Sequence, residues 1–97
     1  MERNQWTGVI SASGVITSKA AKLVGWTARV TADSTVQVFR GTAEGADADI
    51  ISELDLLAAD KSGGVMGINA TSSNGLYLKI TGNARVSLYY RENVMGG

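Results

Sequence analysis

The side chains best suited to chemistry in this sequence are carboxylates, and most of them lie in one segment. Six of the nine acidic residues fall between Glu44 and Asp60, with no lysine or arginine among them. Asp47-Ala48-Asp49 could begin a calcium loop, because hard cations bind clustered oxygen ligands. The spacing of an EF-hand and its distal glutamate are absent, so we expect no metal and no other cofactor. The segment is either a solvated loop or a docking site for a basic partner, and the sequence leaves both open.

Other catalytic arrangements lack a necessary residue type. The chain contains no histidine and no cysteine, which excludes a Ser-His-Asp triad and a thiolate nucleophile or metal ligand. A serine paired with Lys19 or Lys61 is conceivable, but no motif marks one. A glycosidase needs two carboxylates facing across a cleft, which a domain of 97 residues rarely forms. We therefore expect no catalytic residues and a protein that is not an enzyme.

Composition also limits the partners. Nine acidic and nine basic residues cancel, so no global field attracts the chain to nucleic acid or to an anionic membrane. No apolar run is long enough for a membrane helix, and the first residues lack the apolar core of a signal peptide. We expect synthesis in a cytosol. The length predicts one domain spanning residues 1–97, with short polar arms at residues 1–5 and 92–97.

The elements that would position any site are β-strands, because apolar residues recur with a period of two. Leu76 to Ile80 and Val86 to Tyr90 alternate in this way on either side of Gly82-Asn83, and a similar pattern runs from Leu23 to Phe39. One face of each strand should therefore be buried. The predicted core residues are Val24, Trp26, Val30, Val36, Val38, Leu76, Leu78, Ile80, Val86 and Leu88.

Two corners determine how these strands pair. A three-residue connection at Gly82-Asn83-Ala84 would make a hairpin with Ile80 opposite Val86, which keeps the apolar faces in register. Alternatively, the corner arches from one sheet of a sandwich to the other, and the sequence does not separate the two. At Asp33-Ser34 we expect a second hairpin, with Val30 opposite Val36.

Residues 50–57 fit a helical stripe and a strand equally well, and the strands on both sides favour a strand. Lys61 to Gly64 should be a turn before a short strand. The whole pattern predicts an all-β protein: a single antiparallel β-sandwich, jelly-roll-like, with about seven or eight short strands.

Three aromatic residues fall on outward faces by alternation: Phe39, Tyr77 and Tyr89. In the hairpin register Tyr77 would lie opposite Tyr89. Such a pair could anchor a protein interface, stack on a sugar ring, or merely stabilise the sheet.

Two segments, Gly14 to Thr42 and Ser73 to Arg91, contain the motifs V-x-V-aromatic-x-G-T and N-G-L-Y-x-x-x-T-G. They resemble short β-rich proteins of tailed bacteriophages: capsid decoration (cement) proteins, head fibres and small tail-tip proteins. These are usually jelly rolls or sandwiches that assemble as trimers. The motifs encode strands and turns, so they transfer no catalytic residue. The acidic segment from Glu44 to Asp60 departs from the pattern.

The resemblance implies a structural component of the virion, assembled in the host cytoplasm. We expect a capsid decoration protein that contacts sister copies, with a trimer favoured, and the major capsid protein, but neither nucleic acid nor a membrane. The alternative is a ligand- or glycan-binding module of a phage fibre or tail tip.

Overall fold

Eight antiparallel strands in two four-stranded sheets make up the fold. The computed structural model describes residues 2–93, and within them the side chains of residues 7–46 and 48–92. The strands are β1 (Glu2–Ile10), β2 (Gly14–Thr17), β3 (Ala21–Val30), β4 (Ser34–Arg40), β5 (Ile50–Leu56), β6 (Ser62–Ser72), β7 (Leu76–Thr81) and β8 (Ala84–Asn93). Short 3-10 turns at Asp47–Asp49 and Ala58–Asp60 precede β5 and β6.

The order of the strands is that of a jelly roll. Sheet A has the order β1-β8-β3-β6, and sheet B has the order β2-β7-β4-β5. The first strand pairs with the last, the second with the seventh, the third with the sixth and the fourth with the fifth. The chain is therefore a long antiparallel ribbon wrapped into a sandwich. This confirms the predicted fold class.

The corner after β7 is an arch between the sheets. β7 belongs to sheet B and β8 to sheet A, so Ile80 lies opposite Val36 and not opposite Val86. The hairpin expected at Asp33-Ser34 is also wrong, because β3 and β4 lie in different sheets and Val30 lies opposite Ala84. Both hairpins would have buried the same side chains, so the alternation alone could not reveal where the chain changes sheet.

The core lies between the sheets and receives the inward residues of both. Among the predicted core residues, Trp26, Val30, Val36, Val38, Leu76, Leu78, Val86 and Leu88 are buried. Leu23, Leu56 and Tyr90 are also buried there. The Trp26 indole N–H donates a hydrogen bond to Ser52 Oγ in the opposite sheet, over 2.9 Å. This bond satisfies the one polar atom of a fully buried side chain.

Val24 was assigned to the core by alternation, and it is only partly buried. A β-bulge lies between Leu23 and Gly25, where β3 carries one more residue than β8. The extra residue reverses the phase of the alternation, so Leu23 is buried instead. Ile80, also predicted for the core, is partly buried and packs against its margin.

Three further expectations concern segments of the chain. Residues 50–57 form strand β5 up to Leu56, as favoured. Of the turn expected at residues 61–64, only Lys61 lies outside a strand, because β6 begins at Ser62. The arms expected at residues 1–5 and 92–97 are not separate from the sandwich where the structure describes them. Glu2 pairs with Asn93 as β1 runs along β8, while Met1 and residues 94–97 lie outside the described part.

Candidate functional site

The three aromatic residues predicted for an interface do not form one surface. Tyr77 faces outward from sheet B and Tyr89 from sheet A, and both are partly exposed. The expected Tyr77–Tyr89 pair is therefore wrong. Phe39 is 2 % exposed, so its assignment to an exposed interface is also wrong. Its ring makes an edge contact with Tyr77, with centroids 6.4 Å apart.

The acidic segment folds over the outer face of sheet B. Lys79 on β7 forms an ion pair with Glu44, with Nζ and Oε2 2.7 Å apart. On β5, Glu53 and Asp55 point outward and are exposed. They accept hydrogen bonds from neutral groups on β4: Gln37 Nε2 donates to Glu53, and the Thr35 hydroxyl donates to Asp55 over 2.8 Å. We call this outer face, including residues 41–49, the acidic face.

The carboxylates of the acidic face are spread along a strand and a loop and do not converge. Across the residues that the structure describes, no three acidic side chains come together as a metal site would require. In the same part of the chain, no serine hydroxyl bonds to Lys19 or Lys61. The hydroxyls of four serines instead bond the backbone, Trp26 or Asn74: Ser13, Ser34, Ser52 and Ser72. The serine–lysine pair that the sequence left conceivable is therefore not formed in that part of the chain.

One ionisable side chain in the core is perturbed. Burial raises the pKa of the Tyr90 phenol, and the nearby carboxylate of Glu92 raises that pKa further. Both causes favour the neutral phenol, so this group is not activated as a base or a nucleophile.

The outer face of sheet A carries positive charge. Arg29 on β3 and Arg85 on β8 lie directly opposite each other, and both are exposed. Lys22 and Arg91 are opposed in the same way farther along the same two strands. Among the side chains described on this face, none is acidic. Glu92 also lies on β8, but it points inward and accepts a hydrogen bond from the Thr17 hydroxyl in the opposite sheet. We call this outer face the basic face.

Apolar and aromatic groups accompany these cations. Val9 on β1 is 64 % exposed and Met66 on β6 is 58 % exposed, and Tyr89 lies between their strands. Arg29 and Arg85 line a shallow depression of about 250 Å³ with Val9, Thr27, Ala28 and Ser87. They also border a second depression of about 420 Å³ with Thr31 and Asn83. Arginine, tyrosine and methionine are enriched in protein interfaces.

Sequence reasoning missed the basic face. The alternation placed Arg85, Tyr89 and Arg91 on one side of a strand, which was the available signal. The opposition of Arg29 and Arg85 depends on the pairing of β3 with β8, and these strands are separated by most of the chain. The net charge of zero did not reveal that basic and acidic residues lie on different faces, because it sums the charges of both faces.

Within residues 2–93, the structure contains no helix with the length and apolar character of a membrane span.

The comparisons with known proteins do not identify a family. No protein-family model matches the chain, and no curated protein sequence matches it.

Proposed function

We propose that this chain is a non-enzymatic structural component of a tailed-phage particle, namely a capsid decoration protein that stabilises the shell through protein–protein contacts. The observation that carries the proposal is the strand order β1-β8-β3-β6 with β2-β7-β4-β5. Such eight-stranded jelly rolls recur in viral capsid proteins.

The two motifs that resemble those of phage proteins form one structural unit, which supports the proposal. β4 and β7 pair side by side, with Val38 opposite Leu78 and Phe39 opposite Tyr77. The Gly41 N–H donates to the Gly75 carbonyl over 3.0 Å, and both glycines have positive φ. The motif residues therefore build the centre of sheet B and its end. A resemblance carried by these residues is a resemblance in fold.

In this role the protein would act mechanically. Its outer faces would bind sister copies and the major capsid protein, and the contact area would strengthen the seams between capsid subunits. The proposed location is the virion, after assembly in the host cytoplasm. A trimer is the favoured assembly, and neither nucleic acid nor a membrane is a proposed partner.

The test is the composition of particles made from the genome that encodes this chain. Mass spectrometry of purified particles should find the protein at a fixed ratio to the major capsid protein. Particles made without it should open at lower temperature, and purified protein added back should restore their stability. Absence of a stoichiometric copy would end the proposal.

The second candidate is a glycan-binding module of a fibre or tail tip. It is supported by the partly exposed rings of Tyr77 and Tyr89, each on its own sheet, and by the occurrence of jelly rolls in lectins. A glycan array tests it. Binding that disappears in Tyr89→Ala or Tyr77→Ala, with thermal stability unchanged, would favour this candidate, and an array without binding would remove it.

A further inference from the structure

We infer that copies of this chain associate in a head-to-tail manner, with the basic face of one copy against the acidic face of the next. The inference names a contact surface for the oligomer in the proposed function, and it rests on that proposal only for its biological use. Its physical basis is the distribution of charge within one copy.

The charges are separated so that they do not neutralise each other within a copy. The ion pair between Lys79 and Glu44 lies within the acidic face itself and does not join the two faces. Arg29 and Arg85 have no acidic partner among the described side chains, and Glu53 and Asp55 bond only neutral donors there. The basic and acidic groups lie on opposite sides of the sandwich. They can meet only between copies.

The opposed arginines make an acidic partner favourable. Side chains directly opposite each other in an antiparallel pair have Cβ atoms about 5 Å apart, and like charges at this separation destabilise the sheet. A carboxylate placed between Arg29 and Arg85 would remove the repulsion. It would also accept the paired hydrogen bonds for which guanidinium groups are suited. The depressions beside these arginines leave room for such a side chain.

A second copy offers carboxylates in a matching arrangement. Glu53 and Asp55 are two residues apart on β5, so both point outward from the same side of a strand. The acidic face also presents Tyr77 and the half-exposed Val15, which are opposite each other in the pairing of β2 with β7. These groups could pack against Val9, Tyr89 and Met66 of the basic face. The two faces are thus complementary in charge, and both carry apolar groups.

The contact joins two different surfaces, so an open assembly leaves one free face at each of its two ends, and only a ring uses every face. Because the two faces lie on opposite sides of the sandwich, direct stacking of one face on the other adds copies in an open row, and a ring of three forms only if successive copies are tilted relative to each other. The attraction is between exposed charges, and it should weaken as salt shortens the screening length to about 10 Å at 0.1 M.

The test is a charge-swap experiment followed by sedimentation velocity at low salt. One variant carries Arg29→Glu and Arg85→Glu, and the other carries Glu53→Lys and Asp55→Lys. Wild type should assemble reversibly and dissociate as salt is raised. Each variant alone should associate at least about tenfold more weakly, because its two faces then have the same sign. An equimolar mixture should associate again, since each face of one variant is complementary to a face of the other.

Two controls accompany the swap. Arg85→Glu is compared with Lys19→Glu, which reverses one charge in the exposed turn before β3 and should leave association unchanged. Circular dichroism verifies folding, and Arg29→Gln with Arg85→Gln replaces the reversed variant if that variant does not fold.

Three results would overturn the inference: a wild type that stays monomeric at low salt, a mixture that associates no better than its components, or a Glu53→Lys/Asp55→Lys variant that assembles like wild type. Absence of the protein from phage particles would refute the proposed function and would leave these results unchanged.

Discussion

At the scale of single residues, the buried tryptophan links the two sheets. Trp26 lies on β3 in sheet A and donates to Ser52 on β5 in sheet B, so the hydrogen bond spans the core. A buried N–H without an acceptor would cost roughly 1–3 kcal/mol. Ser52 occupies one of the inward positions of β5, and the next two inward positions are held by the apolar residues Leu54 and Leu56. The serine is therefore explained by its partner and needs no functional role.

Leu78 tests the assignment of faces. It is fully buried in the middle of β7, whereas Leu57 is 55 % exposed in the loop after β5. We expect Leu78→Ala to reduce the free energy of unfolding by about 2–5 kcal/mol, because the deletion leaves a cavity. The matched control Leu57→Ala should change it by less than about 0.5 kcal/mol. Urea denaturation measures both, and similar values for the two variants would contradict the assignment.

Tyr90 should make the fold sensitive to alkaline pH. Its pKa is raised above the ordinary value of 10.0, first by burial and then by Glu92. Above that ordinary value the unfolded chain loses the phenolic proton while the folded chain keeps it, so stability falls as pH rises toward the folded pKa. Below it, the contribution is constant. Tyr90→Phe should flatten the alkaline decline in unfolding free energy. An identical decline in both proteins would show that other groups cause it.

At the scale of elements, alternation identified which stretches are strands but not which strands are neighbours. In β8, Val86, Leu88 and Tyr90 are buried, while Arg85 is exposed and Tyr89 partly exposed, as a period of two requires. Val24 departs because a bulge interrupts the period beside Gly25, and a glycine inside a strand pattern was the local sign of it. Phe39 departs because it packs against Tyr77 on a face that the acidic loop partly covers. Both departures depend on contacts distant in sequence.

The arches between sheets have specific backbone requirements. Asn83, between β7 and β8, accepts a hydrogen bond from Thr31 N at its carbonyl and donates one from its N–H to Ser34 Oγ. The two arches at this end of the sandwich are therefore bonded to each other. Gly82 has φ of 100°, and a Cβ added there would lie 2.6 Å from the Asp33 carbonyl oxygen. A side chain at this position conflicts with the backbone of the neighbouring arch.

Gly82→Ala should therefore destabilise the protein by about 1–3 kcal/mol, through an unfavourable φ and a contact with backbone that cannot move aside. Gly14→Ala is the matched control, because Gly14 lies in a strand with no atom within 4 Å of an added Cβ. It should change stability by less than about 0.5 kcal/mol. Thermal unfolding of the two variants measures the difference. Equal melting temperatures would contradict the arch geometry.

At the scale of the whole molecule, the ribbon topology explains why pairing could not be predicted. Among the described strands, β4 and β5 are the only consecutive pair that is hydrogen-bonded, and each of the other six connections changes sheet. Local turn chemistry at Gly82-Asn83 and Asp33-Ser34 is compatible with a hairpin and with an arch. The choice between them depends on which strands pair, and these partners are distant in sequence, as in the pairing of β1 with β8. The opposed cations of the basic face likewise depend on the pairing of β3 with β8, which are distant in sequence.

The order of closure should be visible in the folding kinetics. Forming contacts between distant segments costs more loop entropy than joining neighbours, so the β4–β5 hairpin should form before β8 docks between β1 and β3. Val36 on β4 and Val86 on β8 are both fully buried, and Val→Ala at each position deletes the same atoms. Val36→Ala should mainly slow folding, whereas Val86→Ala should mainly speed unfolding. Stopped-flow measurements in urea separate the two effects, provided that each change costs more than about 0.6 kcal/mol. The reverse pattern would mean that the ribbon closes from its ends inward.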